Sequence, residues 1–231
     1  MSHTNCFAPA PVGRLHHPHG ERLTRHCHAH PFAAVVLSGH YEEAGDRGRH
    51  AVAAGDVLIH SAFESHLNCF GAHGAEVLLL PWAGSQFGSR DAYGRHVDPD
   101  LLARIAERDP FEAAGLLAEG FRVTSGSRND WPDILAAALR DEPNVPLGDW
   151  ARSMGLRAET VSRGFKAAYG VSPANYRATA RARAALASIQ RAEQSLAEVA
   201  ATVGFADQAH MTRAVAQLTG RAPGYWRRTA A

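Results

Sequence analysis

The sequence predicts an α+β protein of more than one domain, with a small β-barrel and helices at the N-terminal side and an all-α C-terminal part. Three observations support this prediction. Short apolar segments separated by turn residues occupy residues 20–82, three helix-like segments with Asp or Pro starts occupy residues 98–140, and a duplicated helical pattern follows. A chain of 231 residues is long enough for two domains of ordinary size.

Charge is divided unevenly along the chain. Residues 147–231 contain 12 Lys and Arg against 5 Asp and Glu, a net charge of +7, whereas the first 146 residues contain 12 against 18, a net charge of −6. Of the 14 histidines, 13 lie at or before His96. A basic C-terminal part predicts a polyanionic partner for that part, and the two halves of the chain are expected to have different tasks.

The C-terminal part repeats itself with a period of 49 to 50 residues. The segment LGDWARSMGLRAETVSRGFKAAYGVSPANYR (147–177) aligns with LAEVAATVGFADQAHMTRAVAQLTGRAPGYWR (196–227). The matched pairs include Gly155 and Gly204, Arg163 and Arg213, Gly170 and Gly220, Pro173 and Pro223, and Arg177 and Arg227. A period that is kept through glycines and prolines indicates one structural unit used twice.

Each copy is predicted to form a helix, a tight glycine turn and a second helix. The apolar spacing predicts helices over about 147–154, 158–169, 173–191, 196–203 and 207–218. Asp207 is well placed to cap the last of these helices. The arrangement is a helix-turn-helix, whose second helix can lie in the major groove of DNA.

The second helix of each copy carries polar side chains that its core does not need. They are Glu159, Thr160, Ser162, Arg163 and Lys166 in the first copy, and Gln208, His210, Thr212 and Arg213 in the second. Such residues occur on any solvated helix, but duplication, positive charge and an arginine at the same place in each copy favour DNA binding. We expect Arg163, Lys166 and Arg213, together with Arg181, Arg183 and Arg227, to supply cations for phosphate or base contacts.

Residues 145–228 resemble the double helix-turn-helix DNA-binding domain of the AraC/XylS family of transcription regulators. The motifs that carry the resemblance are the second repeat, SRGFKAAYGVSPANYR, and RARAALASI in the joining helix. The resemblance implies two recognition helices in successive major-groove segments of double-stranded DNA, and RNA polymerase as a further partner. Matched by position, it implies these base-facing side chains: Glu159, Ser162, Arg163, Gln208, Ala209, His210, Thr212 and Arg213.

Two residues of the first copy depart from the family's pattern. Arg157 stands where a Ser or Thr cap is usual, and it cannot accept a bond from the free N–H groups of the helix. Gly164 lies within the predicted recognition helix, where glycine costs about 1 kcal/mol relative to alanine. We expect both departures to affect base contacts and affinity rather than the fold.

The order H-x-H-P, SG, AGD-x-L and H-x-N within the N-terminal part resembles a cupin barrel, the sensing domain common at the front of AraC-type regulators. In metal-binding cupins the ligands are a His-x-His pair, a nearby Glu and a later His, which implies His28, His30 and His66 here. Alternation along a strand would let His28 and His30 face the barrel interior together. The expected Glu is absent near Ala33, so a divalent metal and a set of merely hydrogen-bonded histidines both remain open.

A barrel mouth lined with apolar residues and a few polar groups is a typical place for a small ligand. The candidate effector-binding residues are His28, His30, Phe32, Val36, His66 and Trp82. Core packing is the alternative explanation for each of them taken singly.

The sequence therefore predicts a DNA-binding transcription regulator, not an enzyme, controlled by a small molecule in the N-terminal barrel. The predicted domains are the sensing barrel (1–97), a helical region (98–140) and the DNA-binding domain (141–231). The helical stripe Leu101, Leu102 and Ile105 is expected either to form a homodimer or to pack on its own barrel. The alternative function is a metal-dependent, oxygenase-like cupin enzyme fused to a DNA-binding module, against which the absent Glu weighs.

A cytoplasmic location without membrane association is expected from two features. The sequence shows neither a secretion signal nor an apolar run of the roughly 20 residues needed to span a bilayer. Its three cysteines lack metal-type spacing and are predicted to be unlinked thiols: Cys6, Cys27 and Cys69.

Overall fold

The computed structural model describes residues 11–82, 93–124, 128–142, 144–191 and 194–229. It divides into two compact units, Met1–Arg128 and Asn129–Ala231. The predicted α+β class is confirmed, because the first unit contains an antiparallel sheet and the second is helical. The first two helices of the 98–140 region belong to the first unit, and the third belongs to the second unit.

The first unit contains one antiparallel sheet, of eight strands among the described residues. The strands are β1 (Gly13–His17), β2 (Arg22–Cys27), β3 (Phe32–Gly45), β4 (Gly48–Ala53), β5 (Asp56–His60), β6 (Ser65–Pro81), β7 (Tyr93–Arg95) and β8 (Arg122–Val123). The long strands β3 and β6 pair with each other along their length. At one end they are flanked by β5 and β1, and at the other end by β4 and β2.

Strand β3 bends at Gly39 instead of turning there. The sequence FAAVVLSGHYEEA (32–44) predicts an apolar strand, a Ser-Gly turn and a polar strand. That prediction is wrong, because Phe32–Gly45 is one continuous strand. The register with β6 shifts between Val36 and Ser38 and again between Gly39 and Tyr41. Gly39 has φ of +76°, and a Cβ there would collide with the backbone of Gly74. The bend lets one strand serve both halves of the sheet.

The sheet buries side chains on both faces. Alternating residues Ala33, Val35, Leu78 and Leu80 pack against helices α1 (Pro99–Ala106) and α2 (Pro110–Gly120), together with Leu102 and Leu117. The opposite face carries Phe32, Ala34, Val77 and Leu79, which pack with Tyr41 and Phe70. The stripe proposed for dimerisation is thus partly used within the unit, since Leu102 is buried while Leu101 is 37% exposed.

The cysteines differ from the expectation of three unlinked thiols. Cys27 is disulfide-bonded, so that expectation is wrong for this residue. Cys69 is a free thiol, and Cys6 lies outside the described residues.

The second unit consists of helices. They are α3 (Trp131–Asp141), α4 (Leu147–Ser153), α5 (Ala158–Tyr169), α6 (Pro173–Arg191), α7 (Leu196–Thr202), α8 (Gln208–Thr219) and α9 (Pro223–Thr229). The aromatic rings of Phe165, Tyr169 and Tyr176 form the buried centre of its first half, and Met211 and Val215 are buried in its second half. In the described ranges, no helix has both the length and the apolar character required to cross a membrane.

Candidate functional site

The two predicted copies have the same turn geometry. In each, a short helix ends at a glycine with positive φ, which is 65° at Gly155 and 78° at Gly204. The next amide then bonds back to the first helix: Leu156 N to Ala151 O at 2.8 Å, and Phe205 N to Ala200 O at 2.9 Å. The second helices, α5 and α8, each contain 12 residues and each end at a left-handed glycine. The duplicated helix-turn-helix is thus confirmed in structure.

The repeated arginine at the end of each copy forms a hydrogen bond to the backbone at the beginning of the same copy. Arg177 Nη2 donates to the carbonyl of Val145 at 2.8 Å, and Arg227 Nη2 donates to the carbonyl of Gln194 at 2.7 Å. Both carbonyls belong to the residue that precedes the N-cap of the copy's first helix. Arg227, which the sequence analysis expects to supply a cation to DNA, therefore also has a structural role through this backbone hydrogen bond.

The predicted DNA-facing side chains lie on the outer surfaces of α5 and α8. Nearly all of them are exposed: Glu159, Thr160, Ser162, Arg163 and Lys166 on α5, and Gln208, Ala209, His210 and Arg213 on α8, with Thr212 half-buried. Within the described part of the chain, Arg163, Lys166 and Arg213 have no hydrogen bond or ion pair. Their charges therefore remain available for a polyanion.

The beginnings of the two recognition helices differ as the sequence predicted. Asp207 Oδ1 accepts the amide of His210 at 2.7 Å and caps α8. Arg157 makes no such bond at the start of α5. The His210 ring stands edge-on to Phe205 at 5.1 Å, and the guanidinium of Arg181 lies 5.7 Å from the same ring. These ring contacts add to the Asp207 cap at the start of α8, whereas the start of α5 has no side-chain cap.

The first unit contains a cavity of about 130 Å³ between the two halves of the bent sheet. One wall is apolar and includes Leu15, Leu23, Phe32, Ala34, Phe70, Val77 and Leu79. The other wall is polar and includes His26, His28, His60, His66, Glu43 and Asn68. The cavity is large enough for several water molecules, so it suits a small ligand or an ion with its waters.

Three histidines in this cavity converge, and they are not the predicted three. One ligand atom from each of His26, His28 and His66 lies within 4.8 Å of the others. His30 is exposed and lies outside the cluster, because β2 ends at Cys27 and strand alternation does not extend to residue 30. His26 belongs to β2 and pairs directly with His66 of β6, which brings their rings to 4.3 Å.

Burial favours the neutral form of three imidazoles in this wall: those of His26, His60 and His66. Desolvation lowers the pKa of His26, and it lowers the pKa values of His60 and His66 well below the usual value. His26 Nδ1 lies 2.8 Å from the carbonyl of Thr24, which fixes that nitrogen as the donor and leaves Nε2 with a free lone pair. The buried Nδ1 of His66 has no hydrogen-bond partner in the described structure. Neutral imidazoles with a free lone pair can bind a metal ion or a polar ligand group.

Glu43 lies in the polar wall and was missed by the sequence analysis. Burial, followed by the nearby Glu64 carboxylate, raises the pKa of Glu43 to about 8, although the bond from Asn68 Nδ2 at 3.1 Å opposes the shift. Its Oε2 is 3.6 Å from His60 Nε2. The sequence could have indicated Glu43, because side chains two residues apart in a strand share a face and Glu43 therefore lies on the same face as Tyr41.

The other predicted effector-binding residues lie on different faces of the sheet, and only some of them line the cavity. Phe32 lines the cavity together with His28 and His66, whereas Val36 is buried in the same apolar cluster without lining the cavity. Trp82 packs on the opposite face, with the helices α1 and α2. The reason is the two-residue period, because Val77 and Leu79 face the cavity and residue 82 falls on the other face.

Comparison with known proteins supports the assignment of the second unit. Residues 150–229 match the model of a helix-turn-helix domain family. No curated protein matches the sequence. Among solved structures, the chain is similar to the C-terminal domain of AraT, a response regulator from Geobacillus stearothermophilus, at 21% identity over 45% of this chain and 88% of that one, with a TM-score of 0.41.

Two further solved structures are similar at comparable levels. The DNA-binding domain of AdpA, a global transcriptional factor in complex with a target DNA, is 21% identical over 44% of this chain and 93% of that one, with a TM-score of 0.40. ToxT from Vibrio cholerae, bound to an unsaturated fatty acid, is 10% identical over 94% of both chains, with a TM-score of 0.42.

The duplicated helix-turn-helix and the matched family model define the class of the second unit: residues 150–229 form a helix-turn-helix DNA-binding domain. More specifically, this domain is a helix-turn-helix domain of the AraC type, as the sequence motifs predicted.

Proposed function

We propose that the protein binds a specific DNA sequence with α5 and α8 in successive major-groove segments, and that a small effector in the N-terminal cavity controls this binding. The observation that carries the proposal is the duplication of an exposed arginine. Arg163 and Arg213 occupy the same position of their recognition helices, and neither is engaged by another described residue. Two such helices joined by α6 suit two neighbouring turns of one duplex.

The exposed side chains match the groups that DNA presents. Gln208 has the amide geometry for adenine, and Arg213 has the paired donors for guanine. Glu159 can accept a hydrogen bond from the amino group of cytosine. Lys166 lies one turn beyond Ser162, where it is suited to a phosphate. We therefore expect α8 to contribute base recognition through an amide and a guanidinium, and α5 to combine one base contact with phosphate contacts.

The cavity supports a small effector with one polar end and a compact apolar body. Burial favours the neutral forms of Glu43, His60 and His66 in its polar wall, since it raises the pKa of Glu43 to about 8 and lowers the pKa values of His60 and His66 well below the usual value. Neutral imidazoles offer one donor and one acceptor each, so they can satisfy a hydroxyl, carbonyl or amide without a counter-charge. An effector that binds better in one conformation of the sensing unit would shift the population towards that conformation.

The cluster of His26, His28 and His66 also fits a divalent metal ion. Three imidazole nitrogens are a known donor set for Zn²⁺ and similar ions, and a fourth position would stay open. The Nδ1 bond of His26 to a backbone carbonyl is the usual support for a ligating histidine. A bound ion would supply a Lewis acid that holds the polar end of a ligand. This cluster is the observation that favours the second candidate function, a metal-dependent enzyme activity of the first unit.

DNA binding by the full-length protein should weaken steeply with salt. We assume that Arg163, Lys166 and Arg213 each neutralise one phosphate. The logarithm of the binding constant then falls by about 0.9 per phosphate for each tenfold increase in salt, so the affinity should fall roughly 40-fold between 50 and 200 mM salt. The measurement is fluorescence anisotropy on a duplex selected from genomic fragments. If no duplex is bound at 50 mM salt, the proposed function is wrong.

Zn²⁺ should stabilise the sensing unit through His26, His28 and His66. At 100 times the dissociation constant, we expect a stabilisation of about 2.7 kcal/mol, measured as an increase in the thermal midpoint. His66→Ala and the less buried His26→Ala should abolish the increase. His30→Ala is the matched control and should keep it, because His30 lies outside the cluster. An equal loss in the His30 variant would contradict the assignment of ligands.

A further inference from the structure

Gly164 faces the indole ring of Trp131. If Gly164 carried a Cβ, that atom would lie 2.5 Å from Cζ2 and 2.9 Å from Cη2 of the ring. Real Cβ contacts are essentially never that short, and the ring is rigid, so either the indole or α5 would have to move. A glycine in the middle of a helix is a poor helix former. Here it makes room for a large side chain from α3.

Helix α3 contacts α5 at a second point as well. The hydroxyl of Tyr169, the last residue of α5, donates to Oδ1 of Asp133 at 2.7 Å, and both side chains are buried. The ring of Trp131 also lies 6.4 Å from that of Trp150 in α4. The start and the first turn of α3 therefore hold both helices of the first helix-turn-helix. The segment that matches the domain family begins only at residue 150, beyond α3.

The contact lies next to the surface that is expected to meet DNA. Gly164 follows Arg163 directly, and Ser162 and Lys166 are exposed within two residues of it. A change in the tilt or rotation of α5 at Gly164 would therefore displace the side chains that read the groove. Recognition by a helix in the major groove is sensitive to such displacement, because bidentate base contacts require defined geometry.

We propose that Trp131 is a positioning residue for the first recognition helix. Its ring occupies the space above Gly164 and sets the orientation in which α5 presents Ser162 and Arg163. In this role Trp131 does not contact DNA; it affects base recognition only by setting the orientation of α5. The inference rests on the proposed function, since it assumes that α5 reads part of the binding site.

The test uses four full-length variants and a duplex selected by the parent protein, with a panel of single base-pair changes across the site. Gly164→Ala should lower the affinity about tenfold and remove the base preference in one half of the site, while the preference in the other half stays unchanged. Trp131→Ala should have the same selective effect. The double variant Trp131→Ala/Gly164→Ala should lose about tenfold, as each single variant does, and not the roughly hundredfold of two independent effects, because without the indole the new Cβ meets no ring.

Gly148→Ala is the matched control. Gly148 lies in the neighbouring helix α4, and a Cβ there would have no atom within 4 Å, so its affinity and base preference should be those of the parent. A general loss of folding would affect both halves of the site. The proposal is overturned if Gly164→Ala keeps the parental preference throughout the site, or if the two losses add in the double variant, since residues that act through one contact do not act independently. A parent protein that binds no duplex would refute the proposed function instead.

Discussion

Replacement of Glu43 by glutamine is expected to remove a large part of the pH dependence of folding stability. The pKa of Glu43 is raised from 4.5 to about 8 in the folded state, mainly by burial and then by Glu64. Between these pH values the unfolded chain releases a proton that the folded protein keeps, so the stability of the parent falls as the pH rises. The contribution is fully present below pH 4.5 and is lost by about pH 8.

The glutamine variant has no such proton, and its amide carbonyl can still accept the bond from Asn68. Relative to the parent, it should therefore gain roughly 3–4 kcal/mol in free energy of unfolding between pH 5 and pH 8. Urea denaturation at several pH values measures this difference. Glu42→Gln makes the same chemical change at the next residue, which pairs with Arg128 at 2.7 Å outside the cavity, and should keep the parental pH dependence. Parallel stability curves for the parent and Glu43→Gln would show that Glu43 is ionised in the folded protein.

Loss of the guanidinium of Arg213 is expected to weaken specific DNA binding by about 1–3 kcal/mol, or roughly 5- to 150-fold. Arg213 is exposed on α8 and is not bonded to any described residue, so its substitution removes no intramolecular contact. If its donors pair with a guanine, Arg213→Ala should also relax the base preference at that position. Titration of the selected duplex and of its single-base variants would measure both effects.

Arg104→Ala is the control for charge, since Arg104 is an exposed helical arginine of α1 in the first unit. Its affinity should stay within about twofold of the parent, because Arg104 lies on neither recognition helix and has no proposed DNA contact. If Arg213→Ala weakened all sequences equally, Arg213 would be assigned to a phosphate. If it bound like the parent, Arg213 would have no place at the DNA interface.

The DNA-binding unit was predictable because local chemistry determines it. The turn glycines need a positive φ, the prolines start helices, and the apolar spacing defines the buried face, so a repeat of these signals indicates a repeat of the structure. The capping role of Asp207 and the lack of a cap at Arg157 could be predicted for the same reason. Arg227 could not, since its carbonyl partner at Gln194 lies 33 residues away.

The ligand cavity was less predictable, because its residues come from strands that meet only in the folded sheet. The sequence indicated His28, Phe32 and His66, but the end of β2 at Cys27 excludes His30 and the pairing with β6 brings in His26. Strand alternation excludes Trp82 from the cavity once it is known that Val77 and Leu79 face it. The Ser-Gly pair in β3 was interpreted as a turn, since a local signal does not distinguish a turn from a bend within a strand.

By itself, the sequence determined the helix-turn-helix pair, its exposed cationic helices and the order of an α+β chain, because these depend on contacts between residues close in sequence. Only the tertiary structure decided which histidines converge, why Glu43 keeps its proton and why Gly164 is a glycine. Those properties depend on burial and on neighbours distant in sequence: Trp131 is 33 residues from Gly164, and His26 is 40 residues from His66.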